Sequence, residues 1–214
     1  WPNVQVLPFP ITERVEFTTV ARSLEGQGAQ MRALSMLAWN RTVVVLATIE
    51  EATQYVVSPQ YVISQSVHLE VSQSIERDEL LEKLVKIGYE RVDQVEQRGH
   101  FSVRGDIFDI FPVNSDDPIR MEFFGDEIDT MRHFSVDTQR SIETVDSYTV
   151  TPFFLTSDDA DSTLLSYAKD GLIIYDEPVR IQEALKKFLK EDATHRKQHC
   201  EWSELQRSVD AKIE

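Results

Sequence analysis

"RGHFSVRGDIFDIFPVNSDDPIRMEFFGDEI", Arg98 to Ile128, carries the strongest fold signal in the chain. In an extended strand successive side chains face opposite ways, so alternation reveals the buried face. Phe101, Val103, Ile107, Ile110 and Phe111 cluster as a buried strand should, and Phe101 to Phe111 is expected as one strand. Phe101 and Val103 then point inward, and Ser102 and Arg104 point outward. In "RMEFF", Met121 and Phe123 share one face while Arg120, Glu122 and Phe124 share the other. "NSDDP" (Asn114 to Pro118) is a turn by composition, and "FGDE" is either another turn or a bulge at Gly125. If the NSDDP turn pairs the two strands, Arg104, Arg120 and Glu122 lie on one outer surface with Phe124 at its edge. Such a surface has two readings. One is a wet sheet face with cross-strand ion pairs, worth about 0.2–1 kcal/mol each. The other is a docking surface, because arginine offers several directed donors and an aromatic ring buries a large area at low entropic cost.

N-terminal to this stretch, Val67, Leu69 and Val71 alternate with His68 and Glu70 as a half-exposed strand does. A helix is expected from about Ile75 to Ile87, with Leu80, Leu81, Leu84 and Ile87 as its core stripe and Gly88 as its stop. Further strands are expected at Arg91 to Val95, Ile119 to Phe124, Ile128 to Phe134 and Ser147 to Thr151. Residues 65–152 thus read as an α+β unit with an antiparallel sheet. Before it, a strand at Val4 to Leu7, a helix at Ala29 to Trp39, the β-branched run "TVVVLATI" (Thr42 to Ile49) and a short helix at "EEATQYVV" read as β-α-β-α. A continuous apolar run is the mark of a strand buried on both faces of a parallel sheet. Residues 1–64 are therefore expected to form an incomplete doubly wound α/β layer. "TSDDADS" (Thr156 to Ser162) reads as a linker. "GLIIYDEP" (Gly171 to Pro178) returns to the buried-strand texture, followed by an amphipathic helix bearing Val179, Ile181, Leu185 and Phe188. Residues 153–214 are read as the linker and the return to the first domain, with the middle domain inserted.

With 41% hydrophobic residues the chain has enough apolar material for one large or two modest packed domains. Its net charge of −15 opposes phosphate tracking, which needs lysine and arginine to release counterions. Direct nucleic-acid binding is not expected of this segment. The single cysteine, Cys200, excludes an internal disulfide framework and suggests a reducing, cytoplasmic compartment. No apolar run approaches the roughly 18 residues of a membrane span, so no membrane partner is expected. The opening Trp1-Pro2-Asn3, without an initiator methionine, suggests a piece of a longer protein.

Catalytic motifs are sparse. "LIIYDE" has the shape of a strand ending in the magnesium-holding acid of a P-loop ATPase, Asp176-Glu177. Its required partner, G-x-x-x-x-G-K-[ST], does not occur. His195 and His199 are four apart on an expected helix beside Cys200, but the second ligand pair of a structural zinc site is lacking. No G-x-S-x-G and no cysteine-based constellation is present. No catalytic residue, cofactor or metal is expected.

The stretch from Arg98 through "FSVDTQRS" (134–141) closely resembles the module shared by UvrB and the bacterial transcription-repair coupling factors. "GYERVDQVEQRGHFSVRG" (88–105), "FSVDTQRSIETV" (134–145) and "GLIIYDEPVRIQEA" (171–184) resemble the coupling factors more closely. The resemblance covers about residues 1–190. It implies UvrB domains 1a and 2, with a remnant of 1b, and no working ATPase in this region. The implied role is recruitment of UvrA, through domain 2, to RNA polymerase stalled at DNA damage. Other domains of the coupling factor are implied partners. The family's "R-G-x-F-x-V-R-G" and "R-x-E-F-F" motifs map onto Arg98, Arg104, Arg120, Glu122 and Phe124 as UvrA-binding residues. Where the family has a long helical stretch between the strand near Thr151 and the return strand, this sequence has a short connection. A UvrB fragment is the alternative, although the exposed aromatic hairpin with which UvrB handles damaged DNA is not found.

Overall fold

The computed structural model describes residues 4–10, 20–154, 160–168, 171–191 and 197–205. The chain divides into two units, one formed by 1–62 with 156–214 and the other by 63–155. Both mix helices and strands, and the strands fall into several sheets.

In the first unit, β1 (Gln5–Pro8) pairs in parallel with β2 (Val43–Leu46), in the register Gln5↔Val43 to Pro8↔Leu46. The crossover carries α1 (Val20–Ala38), which buries Met31, Ala33 and Leu34. The helix begins well before the expected Ala29. Gly26 and Gly28 lower helix propensity there without preventing the extension. Asn40, at φ +52, ends it, and Arg41 N–H donates back to Met36 O at 2.9 Å. α2 (Ile49–Thr53) opens on a capping box between Thr48 and Glu51. β2 corrects the two-sided burial expected of its apolar run. Val44 and Leu46 are exposed, because among the described residues β1 is the strand paired with it in this two-stranded sheet. α3 (Pro59–Gln65) follows, with proline at its first position, where the missing N–H costs nothing.

The second unit holds its own core. β3 (Val67–Glu70) pairs antiparallel with a later strand and alternates as expected, burying Val67 and Leu69. α4 (Arg77–Lys86) buries Leu80 and Leu84, and Gly88, at φ +93, terminates it. A six-stranded sheet follows in sequence order: β4 (Glu90–Arg91), β5 (His100–Arg104), β6 (Ile107–Ile110), β7 (Ile119–Phe124), β8 (Glu127–Phe134) and β9 (Ser141–Thr144). β4 runs parallel to β5, and the remaining neighbours are antiparallel. β10 (Ser147–Val150) closes on β3. Phe101, Phe108, Ile119, Met121, Phe123, Ile128 and Met131 meet the α4 stripe in one core, with the Phe101 and Phe108 rings stacked at 5.9 Å.

The expected single strand from Phe101 to Phe111 is two strands of a hairpin. Arg104 pairs with Ile107 across the two-residue loop Gly105-Asp106. The same loop recurs at Gly125-Asp126, between Phe124 and Glu127. Both glycines have positive φ, +62 and +65, which a two-residue hairpin turn demands at its first position. Arg77 ties the two tips together, donating to Gly105 O at 2.9 Å and Gly125 O at 3.0 Å and pairing with Asp106 at 2.7 Å.

Back in the first unit lie α5 (Leu164–Tyr167) and α6 (Pro178–Glu191). Residues 171–175 correct the expected return strand. They have no regular structure, and Leu172 is 88% exposed. Apolar residues alone do not make a strand; a ladder partner is needed, and among the described residues the run has none.

Candidate protein-docking face

The hairpin register brings a set of charged side chains onto the outer face of β5–β8. Asp109 lies directly opposite both Ser102 and Arg120, and Arg104 is its diagonal neighbour. The Asp109 carboxylate takes a two-pronged contact from Arg120, Nε to Oδ1 at 2.7 Å and a terminal nitrogen to Oδ2 at 2.8 Å. Arg104 donates to the same Oδ2 at 2.7 Å. The Asp109 side chain is 2% exposed, Arg120 13% and Arg104 47%. Arg120 also donates to Gln139 Oε1 at 3.0 Å and lies 4.3 Å over the Phe134 ring. The hydrogen bond to Asp109 raises the Arg120 pKa further despite burial, so this guanidinium stays charged.

One strand further on, Arg132 lies directly opposite Arg120, a like-charge juxtaposition that would cost stability if both cations were unpaired. Each is turned onto a carboxylate instead: Arg120 onto Asp109 and Arg132 onto Glu122. Three guanidiniums and two carboxylates thus stand together, and the exposed Glu127, directly opposite Phe124, adds a third carboxylate to the face. At its edge, next to the Gly125 turn, Phe124 is 83% exposed.

The sequence-predicted residues fare differently. Arg104, Arg120, Glu122 and Phe124 do share one side of the sheet. Arg120, however, corrects the reading of an outward arginine the fold does not need, because its guanidinium is largely covered and neutralises a buried carboxylate. Arg98 lies at the other end of the sheet from Phe124. It donates to Ser115 O at 2.8 Å, pairs with Asp116 at 3.2 Å and sits 5.2 Å over the Phe111 ring, pinning the NSDDP loop. Asp109, Arg132 and Gln139 escaped the sequence reading. The clue to Asp109 was available: a carboxylate inside "DIFDIF" needs a cationic partner once Gly105-Asp106 is recognised as a turn.

The family model for the UvrB interaction domain matches residues 67–154. These residues belong to the UvrB interaction domain family. The interaction domain therefore contains the whole six-stranded sheet and the charged face. Beyond it, the chain is related to the transcription-repair-coupling factors. That of Bacillus subtilis is 34% identical over 147 residues, 69% of this chain. That of Mycobacterium bovis is 44% identical over 96 residues, 45% of this chain and 8% of the relative. The UvrABC system protein B of Fervidobacterium nodosum is 39% identical over 123 residues, 58% of this chain and 18% of the relative. The chain spans only 12% of the length of the Bacillus subtilis relative.

Elsewhere the chemistry is quiet. His199 is buried, and its Nδ1 lies 3.0 Å from Glu50 O; a carbonyl only accepts, so Nδ1 carries the proton. His195, the other half of the spacing noted in the sequence, lies outside the described residues. Among the described residues no group of three histidine, cysteine or acidic side chains is placed to hold a metal. Burial pushes the Cys200 thiol up to about 12. Glu177, in the expected ATPase-like motif, has φ +58 and pairs with Arg180 at 2.6 Å. No helix among the described residues is long and apolar enough to cross a membrane.

Proposed function

We propose that residues 63–155 form a docking module for UvrA within a transcription-repair coupling factor, recruiting excision repair to stalled RNA polymerase. The observation that carries this reading is the exposed Phe124 beside an internally paired arginine cluster, inside a domain of the UvrB interaction family. Arg104 and Phe124 are the contacting groups, and Glu122 flanks them. Arg120 contributes by holding the face together, and Arg98 by holding the NSDDP loop. The coupling-factor reading is preferred to UvrABC system protein B because the coupling factors of Bacillus subtilis and Staphylococcus aureus align over 69% and 82% of this chain, against 58% for the Fervidobacterium nodosum protein; the Mycobacterium bovis coupling factor aligns over a shorter 45% but at 44% identity. In the same reading the β1–α1–β2 unit belongs to a degenerate doubly wound layer of the UvrB domain 1a type, to which residues 153–214 return. The segment acts by binding and does no chemistry itself. The test is titration of the chain with purified UvrA. Saturable binding that weakens in Arg104→Ala supports the reading, and absence of binding at micromolar concentrations rejects it.

A further inference from the structure

We propose that Asp109 is the positioning residue of this face: its buried carboxylate fixes the Arg104 guanidinium in the orientation a partner meets. The inference rests on the docking reading above and adds a residue that no partner could touch, since the Asp109 side chain is 2% exposed.

A chain of fixed contacts leads to Arg104. Gln139 holds its backbone at φ +58, a region uncommon for residues other than glycine and often found at functional sites. Its Nε2 donates to Val136 O at 2.8 Å, which settles the orientation of the carboxamide and leaves Oε1 for Arg120. Arg120, clamped between Gln139 and the Phe134 ring, occupies both oxygens of Asp109. The carboxylate so immobilised accepts from Arg104 at 2.7 Å. Among the described residues this is the one hydrogen bond that the Arg104 side chain makes, and Arg104 is the most exposed member of the trio. An arginine held in this way has already lost the freedom that an unheld one must give up on binding. Arg104 bears the contact; Asp109, Arg120 and Gln139 bear the geometry.

The experiment has three arms. In the unaltered chain, NMR of the arginine side chains should show hindered rotation of the Arg104 guanidinium, assigned by its loss in Arg104→Ala. Free rotation overturns the proposal without any variant of Asp109 being needed. In Asp109→Asn, which keeps the shape and removes the charge, Arg104 should rotate freely and UvrA affinity should fall by about tenfold or more. In the Arg104→Ala background the same substitution should cause no further loss; an equal loss there marks Asp109 as merely structural and overturns the proposal. Should Asp109→Asn fail to fold, Gln139→Ala, which removes no charge, is the second variant and should loosen Arg104 and weaken binding several-fold. If Arg104→Ala leaves UvrA affinity unchanged, the docking reading itself fails. If Arg104→Ala weakens binding and Asp109→Asn does not, only the positioning role fails.

Discussion

Arg120→Ala separates a structural arginine from a surface one. The side chain is 13% exposed, and its partner Asp109 is 2% exposed. Truncation removes both contacts to Asp109, the hydrogen bond to Gln139 and the cation over Phe134. Breaking a buried pair from one side typically costs about 3–5 kcal/mol. Here Arg104 remains on Oδ2 and offsets part of that, which brings the expected cost to about 2–4 kcal/mol. Arg104→Ala leaves the two-pronged Arg120 contact in place and removes a half-exposed partner, so it should cost no more than about 1 kcal/mol. No tryptophan occurs within residues 63–155, and the described Trp39 and Trp202 lie in the first unit, so intrinsic fluorescence would miss the affected one. Native-state hydrogen exchange across residues 100–134 reads it directly. Arg120→Ala should speed exchange of the β5–β8 core amides by between about thirtyfold and about a thousandfold, at tenfold per 1.4 kcal/mol. Protection within a factor of about three of the unaltered chain, and equal to that of Arg104→Ala, would falsify the assignment of Arg120 to the fold.

Two buried groups and one missing motif can be probed in the same chain. Tyr89 is buried, donates to Thr151 O at 2.8 Å and accepts from Val113 N–H at 3.1 Å, so Tyr89→Phe should cost about 1–3 kcal/mol in urea denaturation. Burial holds the Tyr89 phenol above its usual value of 10, so its stabilising contribution is complete below that pH and is lost as the pH rises beyond it. The urea midpoint should therefore fall between about pH 8 and about pH 11, less steeply in Tyr89→Phe; equal slopes would reject the idea. The Cys200 thiol, pushed up to about 12 by burial, should be labelled slowly in the native chain with no inflection near 9, and an inflection there would show the site to be open. Calorimetry with ATP and magnesium should give no saturable heat, since Asp176 and Glu177 have no phosphate-cradling loop to serve; a stoichiometric isotherm would refute this.

Period-two alternation made much of the interaction domain legible. β7 ends where the sequence predicts, β3 buries Val67 and Leu69, and the α4 stripe is headed for the core with Gly88 behind it. The hairpin at Gly105-Asp106 was hidden because apolar residues on both sides of it merge into one run, and with it went the register that sets Asp109 against Arg120. Alternation correctly placed Arg104, Arg120, Glu122 and Phe124 on one side of the sheet. It says nothing of how far a long side chain folds back onto a buried acid, so Arg120 looked free. Arg98 precedes β5, and its loop partners Ser115 and Asp116 are long-range contacts that no local pattern announces. The runs at 42–49 and 171–176 have the texture of doubly buried strands, but burial depends on what else packs there. β2 shows an open face, and 171–175 forms no strand.

The most direct test of the docking face is Phe124→Ala, titrated with purified UvrA beside the unaltered chain. Phe124 is 83% exposed and packs no core, so hydrogen exchange and urea midpoint should not move. If the face docks UvrA, an aromatic anchor at its edge should contribute about 2 kcal/mol or more, a fall in affinity of at least about thirtyfold. An unchanged dissociation constant, with Arg104→Ala equally silent, would contradict the account and leave the arginine patch as ion pairing on a solvated sheet.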